Sequence, residues 1–85
     1  MYKILIGKQA DKDLQKILKS NLKAKLYKLM EQIENDPYVP PVEKLTGTSD
    51  VFSKRINIQH RLVYQVDEEN KTIKIIRMWT HYGDN

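Results

Sequence analysis

The chain has no cysteine. Disulfide frameworks and thiolate metal sites are therefore excluded, and a reducing compartment suits it. Glycine is scarce, with 3 in 85 residues. That leaves little for a phosphate cradle built from backbone amides, and neither a P-loop pattern nor G-x-S-x-G occurs. No apolar run approaches the ~20 residues that cross a bilayer. The opening MYKILIG is too short and too interrupted for a signal peptide. The expectation is a soluble, cytoplasmic protein with no membrane partner. His60 and His81 stand far apart, with no HExxH or paired-carboxylate pattern between them. No metal site and no cofactor are expected.

What is present is a single domain's worth of chain, residues 1–85, with 40% hydrophobic content in periodic patches. A domain of this size buries a modest core and has marginal stability, which a partner or a second copy would raise. The net charge of +4 is unevenly spread. Residues 1–28 hold eight lysines against Asp11 and Asp13, a net +6. Residues 29–50 carry a net −4 and residues 51–85 a net +2. The basic first third suits nucleic acid or an acidic protein partner. From charge alone, a solvated lysine-rich helix face explains it equally well.

Tyr2 to Ile6 is β-prone and ends at Gly7, which predicts a strand. Ala10, Leu14, Ile17 and Leu18 recur at helical spacing, and Asp11 and Asp13 fall where a first helical turn favours acids. Ser20-Asn21 offers a break and an N-cap for a second helix. Leu22, Leu26, Leu29, Met30 and Ile33 continue that helix until Asp36-Pro37, where the residue before proline avoids helical angles. Tyr38 to Asp50, with Pro40, Pro41 and Gly47, reads as a loop with a helical turn around Glu43–Leu45. From Val51 the period changes to two. Phe52, Lys54, Ile56 and Ile58 share one face, and Ser53, Arg55 and Asn57 the other. Arg61 to Val66 and Thr72 to Thr80 are two further strands around the polar loop Asp67–Lys71. In the last of them Ile73, Ile75 and Arg77 share a face. The predicted class is α+β, in the order β-α-α-β-β-β. A helical hairpin packs on one side of a twisted, mostly antiparallel sheet. The first strand can join either edge or insert, and the far face of the sheet is expected to be concave, polar and open to a ligand.

Few residues can carry chemistry. Glu43 is a loop carboxylate, Arg61 a guanidinium on a strand, His81 a group that titrates near neutral pH, and Tyr82 an aromatic hydroxyl. This set is what RNA cleavage by transesterification requires. A base takes the 2′-OH proton, an acid protonates the leaving 5′-oxygen, and a cation stabilises the phosphorane. An aromatic ring stacks on a splayed base. Each residue also has an ordinary reading: a solvated carboxylate, a surface ion pair of Arg61 with Asp67, Glu68 or Glu69, an idle terminal histidine, a ring covering a sheet edge. Trp79 reads as core or interface.

The stretch FSKRINIQHRLVYQV followed by IKIIRMWTHY resembles the Txe/YoeB family of bacterial type II toxins, within the RelE-like superfamily. The resemblance rests on S-[KR]-R-I-x(3)-H-R-L-V-Y from Ser53 to Tyr64, the His81-Tyr82 pair, and Glu43-Lys44-Leu45 upstream. It covers essentially the whole chain. It implies a metal-independent endoribonuclease that cleaves mRNA in the ribosomal A site and is held inactive by a cognate antitoxin of the YefM/Axe kind. Operator DNA is met only through that antitoxin, and a homodimer is an open alternative. The implied roles are Glu43 as general base, His81 as general acid, Arg61 as phosphate stabiliser and Tyr82 as substrate orienter. Arg55, Lys44 and Lys54 are assigned to RNA binding. The chain departs from the family pattern in the Gly83-Asp84-Asn85 extension after Tyr82 and in Thr46, where a basic residue is common. Two rival expectations are a catalytically weak homologue acting as an antitoxin-binding co-repressor module and a ribonuclease that needs no ribosome.

Overall fold

A computed structural model of the chain describes residues 1–48 and 50–79. The elements are β1 (Lys3–Ile6), α1 (Lys8–Leu18), α2 (Lys23–Asn35), β2 (Glu43–Lys44), β3 (Val51–Arg55), β4 (Arg61–Asp67) and β5 (Thr72–Arg77). The expected order holds, with the two-residue β2 added. The strands form one sheet in the order β1-β5-β4-β3-β2. β2 to β5 pair antiparallel in sequence order, and β1 joins the outer edge of β5 in parallel.

The turn from β1 into α1 depends on Gly7. Its amide donates to the Ile75 carbonyl at 2.9 Å. A Cβ at this position would lie 2.9 Å from the same oxygen, closer than side chains tolerate. The missing side chain thus lets the backbone pass directly over β5. Ser20 does not cap the second helix as expected. Its hydroxyl donates to the Ile17 carbonyl at 2.8 Å and accepts from the Leu22 amide at 3.1 Å. It closes α1 and stiffens the turn, and α2 begins without a side-chain cap. Asp36-Pro37 stops α2 where the sequence predicts, with Asp36 extended.

Both helices lie on one face of the sheet. Ala10 and Ile17 of α1 and Leu26 and Ile33 of α2 are fully buried against Leu62, Tyr64, Ile73 and Ile75. Each such aliphatic side chain stabilises the fold by roughly 1.5–3 kcal/mol through lost water contact, against the entropy of ordering it.

Two strands are shorter than their alternation predicts. β3 ends at Arg55 because the Ile56 and Asn57 amides both turn to the His60 carbonyl, at 2.8 and 3.2 Å. The Asn57 side-chain oxygen then accepts the amides of Gln59 and His60. Ile58, which the alternation puts on one face with Phe52 and Ile56, sits at this turn and is 81% exposed. β5 ends at Arg77 rather than Thr80, for a reason that involves Asp13.

Candidate active site

Glu43 and Lys44 form an extended strand, not the expected helical turn. Glu43 lies opposite Ser53 and Lys44 opposite Phe52. The turn that returns the chain to β3 is tight. Gly47 has φ +84°, the left-handed region that favours glycine, and the Leu45 amide donates to the Val51 carbonyl at 2.9 Å. Pairing with β3 brings the Glu43 carboxylate to the Arg61 guanidinium, and the two form an ion pair. The same Arg61 nitrogen donates to the Ser53 hydroxyl at 3.2 Å. Arg61 is largely covered, its side chain 15% exposed, while the Glu43 side chain is 66% exposed.

Arg55 and Arg61 are direct partners across the β3–β4 ladder. Like charges opposite one another destabilise an antiparallel pair. Glu43 offsets one of them. Arg55 is exposed and, among the described residues, has no ion-pair partner. The arrangement is short of one anion.

A cleft of about 320 Å³ opens at this end of the sheet. Its lining comes from Pro41, Val42 and Glu43, from Ser53, Lys54, Arg55 and Arg61 of β3 and β4, and from Lys25, Lys28, Leu29 and Gln32 of α2. By strand alternation Glu43, Ser53, Arg55 and Arg61 lie on the sheet face opposite Phe52, Lys54 and Leu62, and residues of α2 add to the cleft lining. Lys25 and Lys28 were read only as part of a general basic face. Their i, i+3 spacing, which places both on one stripe of α2, was the available signal.

Three of the expected RNA contacts stand differently. Arg55 lines the cleft. Lys44 is exposed on the strand, alternates away from Glu43 and is not part of the cleft lining. Lys54 contributes to the cleft lining but is only 2% exposed, and its Nζ donates to the carbonyls of Val39 at 2.7 Å and Pro41 at 2.8 Å. Burial pushes its amine below the usual lysine range, against the opposing pull of Asp36. Its parity with Phe52 puts it on the core face, and the loop carbonyls capture its charge there. His81 and Tyr82 lie outside the described residues.

Asp13 has a structural role that the sequence did not reveal. The sequence gives it a helix-dipole role, but it is fully buried. One carboxylate oxygen accepts from Arg77 Nε at 2.8 Å and from the amides of Met78 at 3.0 Å and Trp79 at 3.3 Å. Burial raises the Asp13 pKa, but the bonds from Arg77, Met78 and Gln9 outweigh it and leave the carboxyl below its ordinary value. The amides that would have extended β5 are used here instead. Trp79 then stacks on His60, with ring centres 4.0 Å apart and planes 20° apart.

The model of a family described as the ParE toxin of type II toxin–antitoxin systems, parDE, matches residues 4–84. The chain belongs to this toxin family. No curated protein matches the chain by sequence. Among solved structures, the YoeB dimer from Staphylococcus aureus is 30% identical, with a TM-score of 0.81 over 95% of the toxin chain and 98% of that chain. The YoeB–YefM complex from the same organism is 31% identical, with a TM-score of 0.77 over 96% and 99%. The YoeB/ParE toxin from Agrobacterium tumefaciens, at 22% identity and a TM-score of 0.85 over 94% and 99%, shares the fold. The toxin is thus an α+β protein of the RelE/YoeB kind, as the Ser53–Tyr64 motif implied.

Proposed function

We propose that this toxin is a ribosome-dependent endoribonuclease that cuts mRNA in the ribosomal A site. The observation that carries the reading is the convergence of one carboxylate, Glu43, and two facing guanidinium groups, Arg55 and Arg61, in a cleft walled by Lys25 and Lys28. A scissile phosphate between Arg55 and Arg61 supplies the missing anion. It draws Arg61 away from Glu43 and frees that carboxylate to take the 2′-OH proton. The developing charge on the phosphorane is held by guanidinium groups already in place. His81 protonates the leaving 5′-oxygen and Tyr82 orients the substrate. The nucleophile comes from the RNA, so acid, base and cation are all side chains.

The partners in this reading are mRNA, the ribosome and a cognate antitoxin of the YefM/Axe kind, through which operator DNA is met. Support for the antitoxin comes from the relative solved as a YoeB–YefM complex, and the YoeB dimer motivates a test for self-association. The deciding experiment maps mRNA 5′ ends after induction without antitoxin. Cuts should fall in register with A-site codons, and Arg61→Ala and His81→Gln should each abolish them. If both variants cut like the wild type, the site is wrong. If the wild type arrests neither growth nor translation, the co-repressor reading replaces this one.

A further inference from the structure

The loop that delivers Glu43 is poor in donors of its own. Pro37, Pro40 and Pro41 lack an amide hydrogen. Its carbonyls are satisfied from the sheet. The Tyr64 hydroxyl, buried, donates to the Pro37 carbonyl at 2.6 Å. Lys54 donates to Val39 at 2.7 Å and to Pro41 at 2.8 Å. Pro41 is two residues from Glu43, and Lys54 is the neighbour of Ser53, which pairs with Glu43 across β2–β3. Lys54 thus grips the same short segment from below that β3 grips from the side. A lysine only 2% exposed needs partners for its donors, and here both observed partners belong to that one loop.

We propose that Lys54 is a positioning residue for the Glu43 carboxylate: its ammonium clamps the Val39–Pro41 carbonyls and so sets where the base stands relative to Arg61. The inference rests on the endoribonuclease reading for its kinetic consequence, but its structural half stands without it. β2 is two residues long, too short to fix Glu43 by ladder bonds alone. With the clamp removed, the Val39 and Pro41 carbonyls lose these donors, and the anchors that remain, the Tyr64 bond at Pro37 and the Tyr38 contacts with Glu68 and Phe52, all lie further from Glu43 in the chain.

The test compares Lys54→Met, Lys54→Gln and Lys54→Arg in the full chain. Amide exchange is read over residues 42–45, and cleavage is measured with programmed ribosomes. Lys54→Met keeps the length and loses both bonds. Exchange at 42–45 should rise while exchange in β4 and β5 stays as in the wild type. The turnover rate should fall by roughly 10–100-fold with KM within about threefold, the signature of a misplaced group rather than lost binding. Lys54→Arg, which still reaches both carbonyls, should restore most of the rate. Should Lys54→Met fail to fold, the contrast of Lys54→Gln with Lys54→Arg decides, since the shorter amide reaches one carbonyl at most. Unchanged exchange and a wild-type rate in Lys54→Met or Lys54→Gln overturn the clamp. So does a fall in rate that appears wholly in KM, which returns Lys54 to RNA binding. If the wild type itself does not cleave, the endoribonuclease reading falls, and the exchange data alone still decide the clamp.

Discussion

At the scale of single residues, the site sets charges against one another in a small space. In the proposed reaction Arg61 stabilises the phosphorane, so Arg61→Ala should lower cleavage by roughly 10²–10³-fold. Glu43→Gln keeps the shape and removes the base of the proposed reaction, with an expected loss of roughly 10²–10⁴-fold in a translating extract. Wild-type rates in Glu43→Gln would assign the base elsewhere. A second cluster, centred on Glu68, acts on stability. The Glu68 carboxylate accepts from Lys71 at 2.8 Å, from Tyr2 at 2.8 Å and from Tyr38. These bonds, Lys71 first, then Tyr38 and Tyr2, hold its pKa at about 2. A carboxylate whose folded pKa is depressed contributes stability above its unfolded value of 4.5 and loses it as pH falls toward about 2. Thermal melts of the wild type and Glu68→Gln should therefore differ at pH 7, with the gap narrowing below pH 4.5 and closing only as pH falls through about 2. A gap that stays constant with pH would show that the cluster does not titrate as described. At this scale the sequence was informative where spacing fixes a partner. Arg55, Arg61 and Glu43 were all visible as candidates. Lys54 was read by its charge, although its parity with Phe52 pointed to the core. Asp13 was read by its helix position because its partner Arg77 is 64 residues away.

Elements end where their amides find other acceptors, and this is what the alternating pattern could not show. β3 and β5 both continue as apolar alternations past their observed ends, yet the Asn57–His60 turn and the Asp13 carboxylate claim their backbones. Sequence periodicity reports which side chains could face a core. It is silent on a carboxylate brought in from a helix. Asp13→Ala should be among the most damaging single changes. It strands the Arg77 guanidinium and two amides, and removing one partner of a buried pair costs about 3–5 kcal/mol. Urea denaturation should show a matching drop in midpoint. A loss under about 1 kcal/mol would mean that water replaces the carboxylate at β5. β2 is the opposite case. Two residues among prolines gave no strand signal, and pairing with β3 made the strand.

Across the whole molecule, the basic first third now has a place: part of it, Lys25 and Lys28, forms a cleft wall. Phosphate binding by lysine is sequence-independent and salt-sensitive. Lys25→Glu together with Lys28→Glu should raise KM for cleavage, and the salt dependence of KM should become shallower, with turnover little changed. Unaltered KM at low salt would exclude that wall from the RNA path. The fold class, strand order along the chain and helical hairpin were all readable from periodicity. The place of β1 in the sheet was not, because one short apolar strand satisfies either edge equally well.

The place it takes has a consequence for how the toxin is made. β1 pairs with β5 in parallel, Lys3 beside Thr72, so the two strands that close the sheet are separated by about seventy residues of chain. During synthesis β1 emerges first and waits for nearly the whole domain before its partner exists. The buried faces of both helices wait with it, since Ile73 and Ile75 of β5 lie at the centre of what they cover. Contacts of such long range are slow to form, because the loop must close before any stabilisation is gained. A nascent chain that has reached Glu43, Arg55 and Arg61 therefore carries the cleft's charges without the platform that aligns them. The order of translation itself delays the assembly of the cleft until β5 has been made.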